Sequence, residues 1–170
     1  MSTLRVDTIA NTAGTTNNRI LQVASTTTDG VLSTTNNAAP NLIGSGVEVF
    51  SLNFTPTKSS SNILVQTSTI AISENTNHND RCWLSLFNGS TFVACNSGAA
   101  AYTSYLSALN AAHHSLNLIF AAGSTDQRAI SVRAAMNSST AGTVYINGNA
   151  YSNYTGDQQR ISMTVMEIAA

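Results

Sequence analysis

Charge is what this sequence has least of. Asp, Glu, Lys and Arg make up 9% of its 170 residues, against roughly 25% in ordinary soluble domains. The seven basic residues are spread singly from Arg5 to Arg160, with one lysine, Lys58, and the net charge is −1. Nothing in that distribution builds a basic face for a phosphate backbone, so no nucleic-acid partner is expected. The eight acidic residues are equally scattered. Glycoside hydrolysis needs two carboxylates held about 5 to 10 Å apart, and no Gly-x-Ser-x-Gly stretch or metal-ligand spacing is present either. The chain therefore reads as a non-enzyme without cofactor or metal. His113 and His114 are adjacent, and neighbours on a strand point to opposite faces, which keeps one chain from bringing both to one ion. No apolar run reaches membrane-spanning length, and the opening Met-Ser-Thr-Leu-Arg-Val-Asp lacks the apolar centre of a secretory signal. No membrane partner is expected.

What remains is apolar or neutral. Hydrophobic residues stand at 42%, enough to build a core. The polar residues are mostly Ser, Thr and Asn, and strong helix formers other than Ala are few. Such a composition suits strands and tight turns. It also suits surfaces that become covered, because a hydroxyl or amide costs far less to desolvate than an ammonium or carboxylate.

The most informative stretch is the last. In residues 160–168, Ile161, Met163 and Val165 alternate with Ser162 and Thr164, the period of an extended strand, while Met166 and Ile168 make the other face apolar. This predicts a central strand whose five apolar residues serve core or subunit packing. Earlier in the chain, residues 19–25 read as a strand and 26–40 as a long loop with one edge strand. Residues 47–54 alternate with Phe50, Leu52 and Phe54 on one face and Val47 and Val49 on the other. Residues 55–62 turn the chain, and 63–73 form one long strand. The polar loop 74–80, with Glu74, His78 and Asp80, matches no calcium-loop spacing and reads as a loop tip. Asn88-Gly89 signals a hairpin. A two-residue turn there pairs Phe87 with Ser90, Leu84 with Val93 and Cys82 with Cys95, close enough for a bridge. A protein folded in a cytoplasm is kept reduced, so two buried free thiols are expected. Residues 97–112 form a connection bearing Tyr102 and Tyr105. His114, Leu116, Leu118 and Phe120 share a strand face, residues 128–136 and 143–147 are strands, and a loop with Tyr151 and Tyr154 precedes the last strand.

About eight strands and no helix predict an all-β chain: an antiparallel β-sandwich of jelly-roll type over residues 19–170. Residues 1–18, with Leu4, Val6 and Ile9 as their apolar side chains, form a short extended attachment arm. Strands 47–54, 63–72 and 81–88 carry apolar residues on both faces. One face serves the core and the other needs a cover, which a closed homotrimer supplies.

Several segments also carry a resemblance: residues 2–9 (STLRVDTI), 19–23 (RILQV), 54–57 (FTPT) with 59–65 (SSSNILV), 142–147 (GTVYIN) and 164–168 (TVMEI). Together they resemble short tail-fibre or fibre-tip proteins of tailed bacteriophages, including phages of cyanobacteria. The resemblance implies a homotrimeric virion component released by host lysis. Its N-terminal arm would attach to other virion proteins, and its sandwich would face outward. On that reading Leu4, Val6 and Ile9 anchor the arm, and His78, Tyr102, Tyr105, Tyr151 and Tyr154 are candidate contacts for a host-surface glycan or protein. The alternatives are a capsid decoration protein and a glycan-degrading enzyme.

Overall fold

The computed structural model describes residues 19–34, 41–74, 81–99, 112–137, 144–147 and 160–170. Every regular element among them is a strand: β1 (Ile20–Thr28), β2 (Leu32–Thr34), β3 (Val47–Phe54), β4 (Asn62–Thr67), β5 (Ile70–Glu74), β6 (Arg81–Asn88), β7 (Thr91–Ala99), β8 (Ala112–His114), β9 (Asn117–Ala121), β10 (Arg128–Asn137), β11 (Val144–Ile146) and β12 (Ile161–Ile168). They form three antiparallel ladders, β1-β12-β4-β9, β2-β11-β5-β8 and β3-β10-β6-β7. The first two ladders are halves of one long sheet. β1 leads into β2, β4 into β5, β8 into β9 and β11 into β12, each pair occupying the same place in its ladder. Counting each pair as one strand leaves eight, ordered 1-8-3-6 in the first sheet and 2-7-4-5 in the second. That arrangement is an antiparallel jelly roll.

The break between the half-sheets is a waist held by short-range bonding. Thr67 N donates to Leu116 O and Ser68 N to Ser162 O, both at 2.9 Å. The side-chain hydroxyls of Thr67 and Ser68 accept from Leu116 N and Ser162 N in return. Gly30 (φ 92°) and Asn147 (φ 62°) turn through the left-handed region beside each other, and Asn147 Nδ2 donates to Gly30 O at 3.1 Å. Gly and Asn are the residues that adopt this backbone at least cost.

The waist corrects the expectation of one continuous strand over 63–73. Ser68 and Thr69 separate β4 from β5 and change the parity of the inward side chains, so Ile63 and Val65 are buried before the break and Ile70 and Ile72 after it. The face shared by His114, Leu116, Leu118 and Phe120 survives its own break: the first two are buried and the last two pack on the core. β2 is an edge strand within the stretch expected to hold one.

One cluster fills the space between the sheets. Ile63, Val65, Met163 and Val165 from the first sheet meet Phe50, Phe54, Leu84, Leu86, Ile130 and Val132 from the second. Two bulges decide which side chains reach it. Where β3 pairs with β10, Phe50 faces Val132 but Glu48 faces Arg133, so Val49 is an extra residue. Alternation slips at that point, and Val47, Val49, Phe50, Leu52 and Phe54 all serve the core. The expectation that Val47 and Val49 lie opposite the phenylalanines is thereby corrected. The second bulge falls in the hairpin. Its turn is Gly89-Ser90, with Asn88 opposite Thr91 and Phe87 opposite Phe92, and Val93 is then the extra residue. Gly89, at φ 61°, supplies the backbone this turn requires. Beyond the bulge Cys95 faces Ser85, Leu84 faces Asn96 and Cys82 faces Gly98, so the anticipated cysteine pair does not form. Cys95 is a free, exposed thiol rather than a buried one.

Candidate functional site

The last strand organises one end of the sandwich. β12 lies between β1 and β4 and is inward at every odd position, Ile161, Met163, Val165 and Glu167. The first three are core residues. Glu167 is a fully buried carboxylate, at 0% exposure. Burial alone would push its pKa up, but hydrogen bonds override it. Ser61 Oγ donates at 2.6 Å, Thr57 N at 2.9 and 3.0 Å, Lys58 N at 3.0 Å, Gln22 Nε2 at 2.8 Å and Thr57 Oγ1 at 3.0 Å. The balance holds the carboxyl down at about 2, because donors aimed at the charged form favour it. Gln22 Nε2 also donates to Thr55 O at 2.7 Å. Ala122 N and Gly123 N donate to Ser61 O and Ser59 O, which fastens the neighbouring connection. The segment 55–61 is thus buttoned to the last strand through one carboxylate. Four of the stretches that carry the phage resemblance, 19–23, 54–57, 59–65 and 164–168, converge there. Sequence reading did not single out Glu167, although its parity with Ile161, Met163 and Val165 points it inward.

This tight pole also holds the described start and finish of the chain. Ile20 pairs with Ile168, and Ala169 N donates to Arg19 O at 2.8 Å. Three of the eight strands' connections close here, at 55–61, at Gly89-Ser90 and at 122–127. The strand ends at the other pole bracket residues 35–46, 75–80, 100–111 and 138–143. His78, Tyr102 and Tyr105 fall within two of these stretches and lie outside the described residues. Tyr151 and Tyr154 also lie outside them. The residues that bracket those two, Asn147 and Arg160, stand at the waist instead of the pole. Strand ends at one pole bracket the stretches that contain His78, Tyr102 and Tyr105, and residues at the waist bracket the stretch that contains Tyr151 and Tyr154. Leu4, Val6 and Ile9 lie outside the described residues.

The two sheets present different outer faces. On the second, Trp83 and Phe87 point away from the core and are still only 6% and 1% exposed, with Ser85 and Ser131 buried beside them. Phe87 meets Phe92 edge-on, ring centroids 5.8 Å apart. The single chain hides this face, so it is not surplus apolar surface, contrary to what the sequence suggested for residues 81–88. On the first sheet the outward residues form registered rows. Ile20, Ile168, Asn62 and Ala121 make the row nearest the tight pole, followed by Val23, Met166, Leu64 and Ile119, and then by Ser25, Thr164, Gln66 and Asn117. Val23 and Ile119, at opposite ends of the second row, are 57% and 58% exposed. Met166 and Ile168 belong to this open face, whereas Ile161, Met163 and Val165 belong to the core. The five residues expected to serve core or subunit packing divide between those two roles.

His113 is exposed and His114 buried, as their adjacency on a strand requires. Burial lowers the His114 pKa, and the neighbouring His113 lowers it further. Among the described residues no three His, Cys, Asp or Glu side chains are grouped to hold a metal ion.

No family model matches the chain, and neither does any curated protein. Among solved structures it is similar to the VP2 subviral particle of infectious bursal disease virus, at 10% identity and a TM-score of 0.46, over 97% of this chain and 43% of that one. It is similar to the Gt strain of the same virus at 13% identity and a TM-score of 0.43, over 98% and 43% of the two chains. To T=1 particles derived from that virus the values are 14% and 0.43, over 98% and 41%. The chain spans less than half the length of each of these viral proteins.

Proposed function

We propose that this chain is a structural component of a bacteriophage virion, a homotrimeric tail-fibre or receptor-binding protein that carries the particle to its host. The observation that carries the reading is the division of labour between the poles. The chain enters the sandwich at the tight pole, beside the Glu167 socket, so an arm bearing Leu4, Val6 and Ile9 reaches other virion proteins from that end. The opposite pole receives the connections that contain His78, Tyr102 and Tyr105, where a host-surface glycan or protein is met. Aromatic and amide side chains suit such contacts because they combine apolar area with hydrogen-bonding groups. The low charge of the chain fits a surface built for neutral partners and for its own copies. Four of the segments that carry the resemblance to short tail fibres build the tight pole, which agrees with a shared attachment end.

The test is to locate the chain on purified particles by electron microscopy with an antibody against the sandwich. Labelling at the tail, in tens of copies, is expected. Labelling over the head in hundreds of copies would make it a decoration protein, and particles devoid of the chain would end the virion reading. Joint replacement of His78, Tyr102 and Tyr105 by Ala is expected to lower host adsorption.

A further inference from the structure

The open face of the first sheet is unusual for a surface. The outward positions of its β1-β12-β4-β9 half are Ile20, Val23, Ser25 and Thr27 on β1, Ser162, Thr164, Met166 and Ile168 on β12, Asn62, Leu64 and Gln66 on β4, and Asn117, Ile119 and Ala121 on β9. None of these fourteen is charged, whereas a surface meant for water carries roughly 25 to 35% charged residues. A continuous apolar row, Val23-Met166-Leu64-Ile119, crosses all four strands. Ile20 and Ile168 extend it toward the tight pole. Beyond it lie hydroxyls and amides, including a Gln66 Nε2 to Asn117 Oδ1 contact at 3.5 Å.

From these rows we infer that a second copy of this chain packs on the outer face of the first sheet, with the Val23-Met166-Leu64-Ile119 row at the centre of the contact. Three features select a copy of the chain over other occupants. The face offers no charge to steer an acidic or basic partner, and a partner equally poor in charge loses least on desolvating against it. This chain is such a partner. Strands about 4.8 Å apart rising about 3.3 Å per residue make the face roughly 19 Å wide and, from the shortest strand to the longest, roughly 17 to 30 Å long in projection. The accessible area of a corrugated face exceeds its projection, which brings it toward the ~800 Å² per partner of a stable interface. Finally, the second sheet hides its own outward aromatics while the first leaves Val23 and Ile119 more than half exposed. The cover still missing belongs on the first sheet. The inference rests on the oligomeric part of the function proposed above and is independent of the virion part.

The experiment is sedimentation of the purified full chain across a concentration series, with the single variants Val23→Glu and Ile119→Glu. Both side chains point outward from edge strands, so circular dichroism and the thermal midpoint of the isolated chain are expected to hold. Gln66→Arg, between them on an inner strand, serves if either variant folds poorly. The wild type is expected to be a closed oligomer. Each variant should raise the concentration of half-dissociation at least about tenfold, since a charge is then buried without a partner. Ser51→Glu, on the exposed rim of the second sheet, should change nothing. A monomeric wild type, or variants that keep the wild-type mass, would overturn the inference. A dimer that dissociates in the variants would uphold the face and remove the three-fold reading. Loss of the chain from particles would remove the virion reading and leave the mass as it is.

Discussion

The two sheets of this sandwich share one core and treat their outer faces in opposite ways. The second sheet runs unbroken, carries the bulges at Val49 and Val93, and turns Trp83, Ser85 and Phe87 into side chains the chain hides for itself. The first sheet is cut at the waist, has a bulge of its own between Ile20 and Gln22, keeps a neutral outer face open at the tight-pole half, and buries the carboxylate of Glu167 inward. The difference teaches that apolar residues on both faces of a strand have two distinct physical outcomes. They are buried within the subunit on β6 and left partly exposed on β12. Sequence alternation alone does not separate them, because both produce the same pattern.

The largest effect expected from that contrast comes from truncating matched outward residues. Phe87→Ala removes a ring that is 1% exposed, and should cost about 3 to 5 kcal/mol, the range for deleting a buried aromatic side chain. Ile119→Ala, outward on the first sheet and mostly exposed, should cost less than about 0.5 kcal/mol in the isolated chain. Denaturant unfolding of both variants measures the difference. Equal losses would mean that the two faces are not distinct.

Glu167→Gln comes next. It keeps the shape but presents an amide to donors from Thr57, Lys58 and Ser61, and a loss on the order of 3 kcal/mol is expected for unmaking hydrogen bonds to a buried charge. The pH dependence follows from the same group. Its folded pKa of about 2 lies below its ordinary 4.5, so the folded state binds this proton less readily than the unfolded one. The stabilisation is complete above pH 4.5 and is lost as pH falls from there toward 2. Thermal midpoints of the wild type should drop through that window, and those of Glu167→Gln should be flatter. Parallel curves would show that the socket does not depend on the charge.

Much of the fold was legible in the sequence and some of it was not, for identifiable reasons. The period-2 pattern of Ile161, Met163 and Val165 located an interior strand. Turn chemistry marks two connections, at 55–62 and, one residue early, at Asn88-Gly89; which pole they close is visible only in the fold. What escaped was phase. A bulge residue such as Val49 or Val93 shifts every later side chain by one face, and nothing in the local composition marks it. The expected pairing of Cys82 with Cys95 fails twice over: the turn sits one residue later, at Gly89-Ser90, and a strict count from any turn has no room for Val93. The break at Ser68-Thr69 was hidden because hydroxyl residues are ordinary strand formers. Glu167 was missed for the opposite reason: its parity said inward, and its charge argued for solvent. Only the donors of a segment about 110 residues earlier resolve that conflict.

A smaller effect probes the seam between the sheets. Thr28 Oγ1, on β1, donates to the carbonyl of the bulge residue Val49 at 2.8 Å. Thr28→Val keeps the volume and leaves that carbonyl without this donor, which should cost about 1 kcal/mol. Thr27→Val, one residue away and outward, should be neutral. If both substitutions behave alike, the bond between edge strand and bulge contributes nothing to holding the sheets in register.

The smallest effect is expected at the waist, where the first sheet is cut and the second is not. Arg160 grips Asp29 there with two hydrogen bonds, at 2.9 and 3.1 Å, joining the start of β12 to the turn after β1. The geometry suggests a clasp, and the hydrogen bond from Arg160 does lower the Asp29 pKa. Both side chains nevertheless stand in water, 70% and 48% exposed. Solvent and salt screen such a pair, and ordering two side chains offsets what attraction remains. Asp29→Asn should therefore leave the thermal midpoint unchanged at low and high salt. The waist is held instead by the Thr67, Ser68, Leu116 and Ser162 bonds and by Asn147 on Gly30, two of them backbone to backbone and each of the others with the backbone on one side. A fall of several degrees in Asp29→Asn, abolished by salt, would move that role from the backbone to the ion pair. The two half-sheets would then be hinged by a surface charge contact, and the first sheet would owe its continuity to something the second does not need.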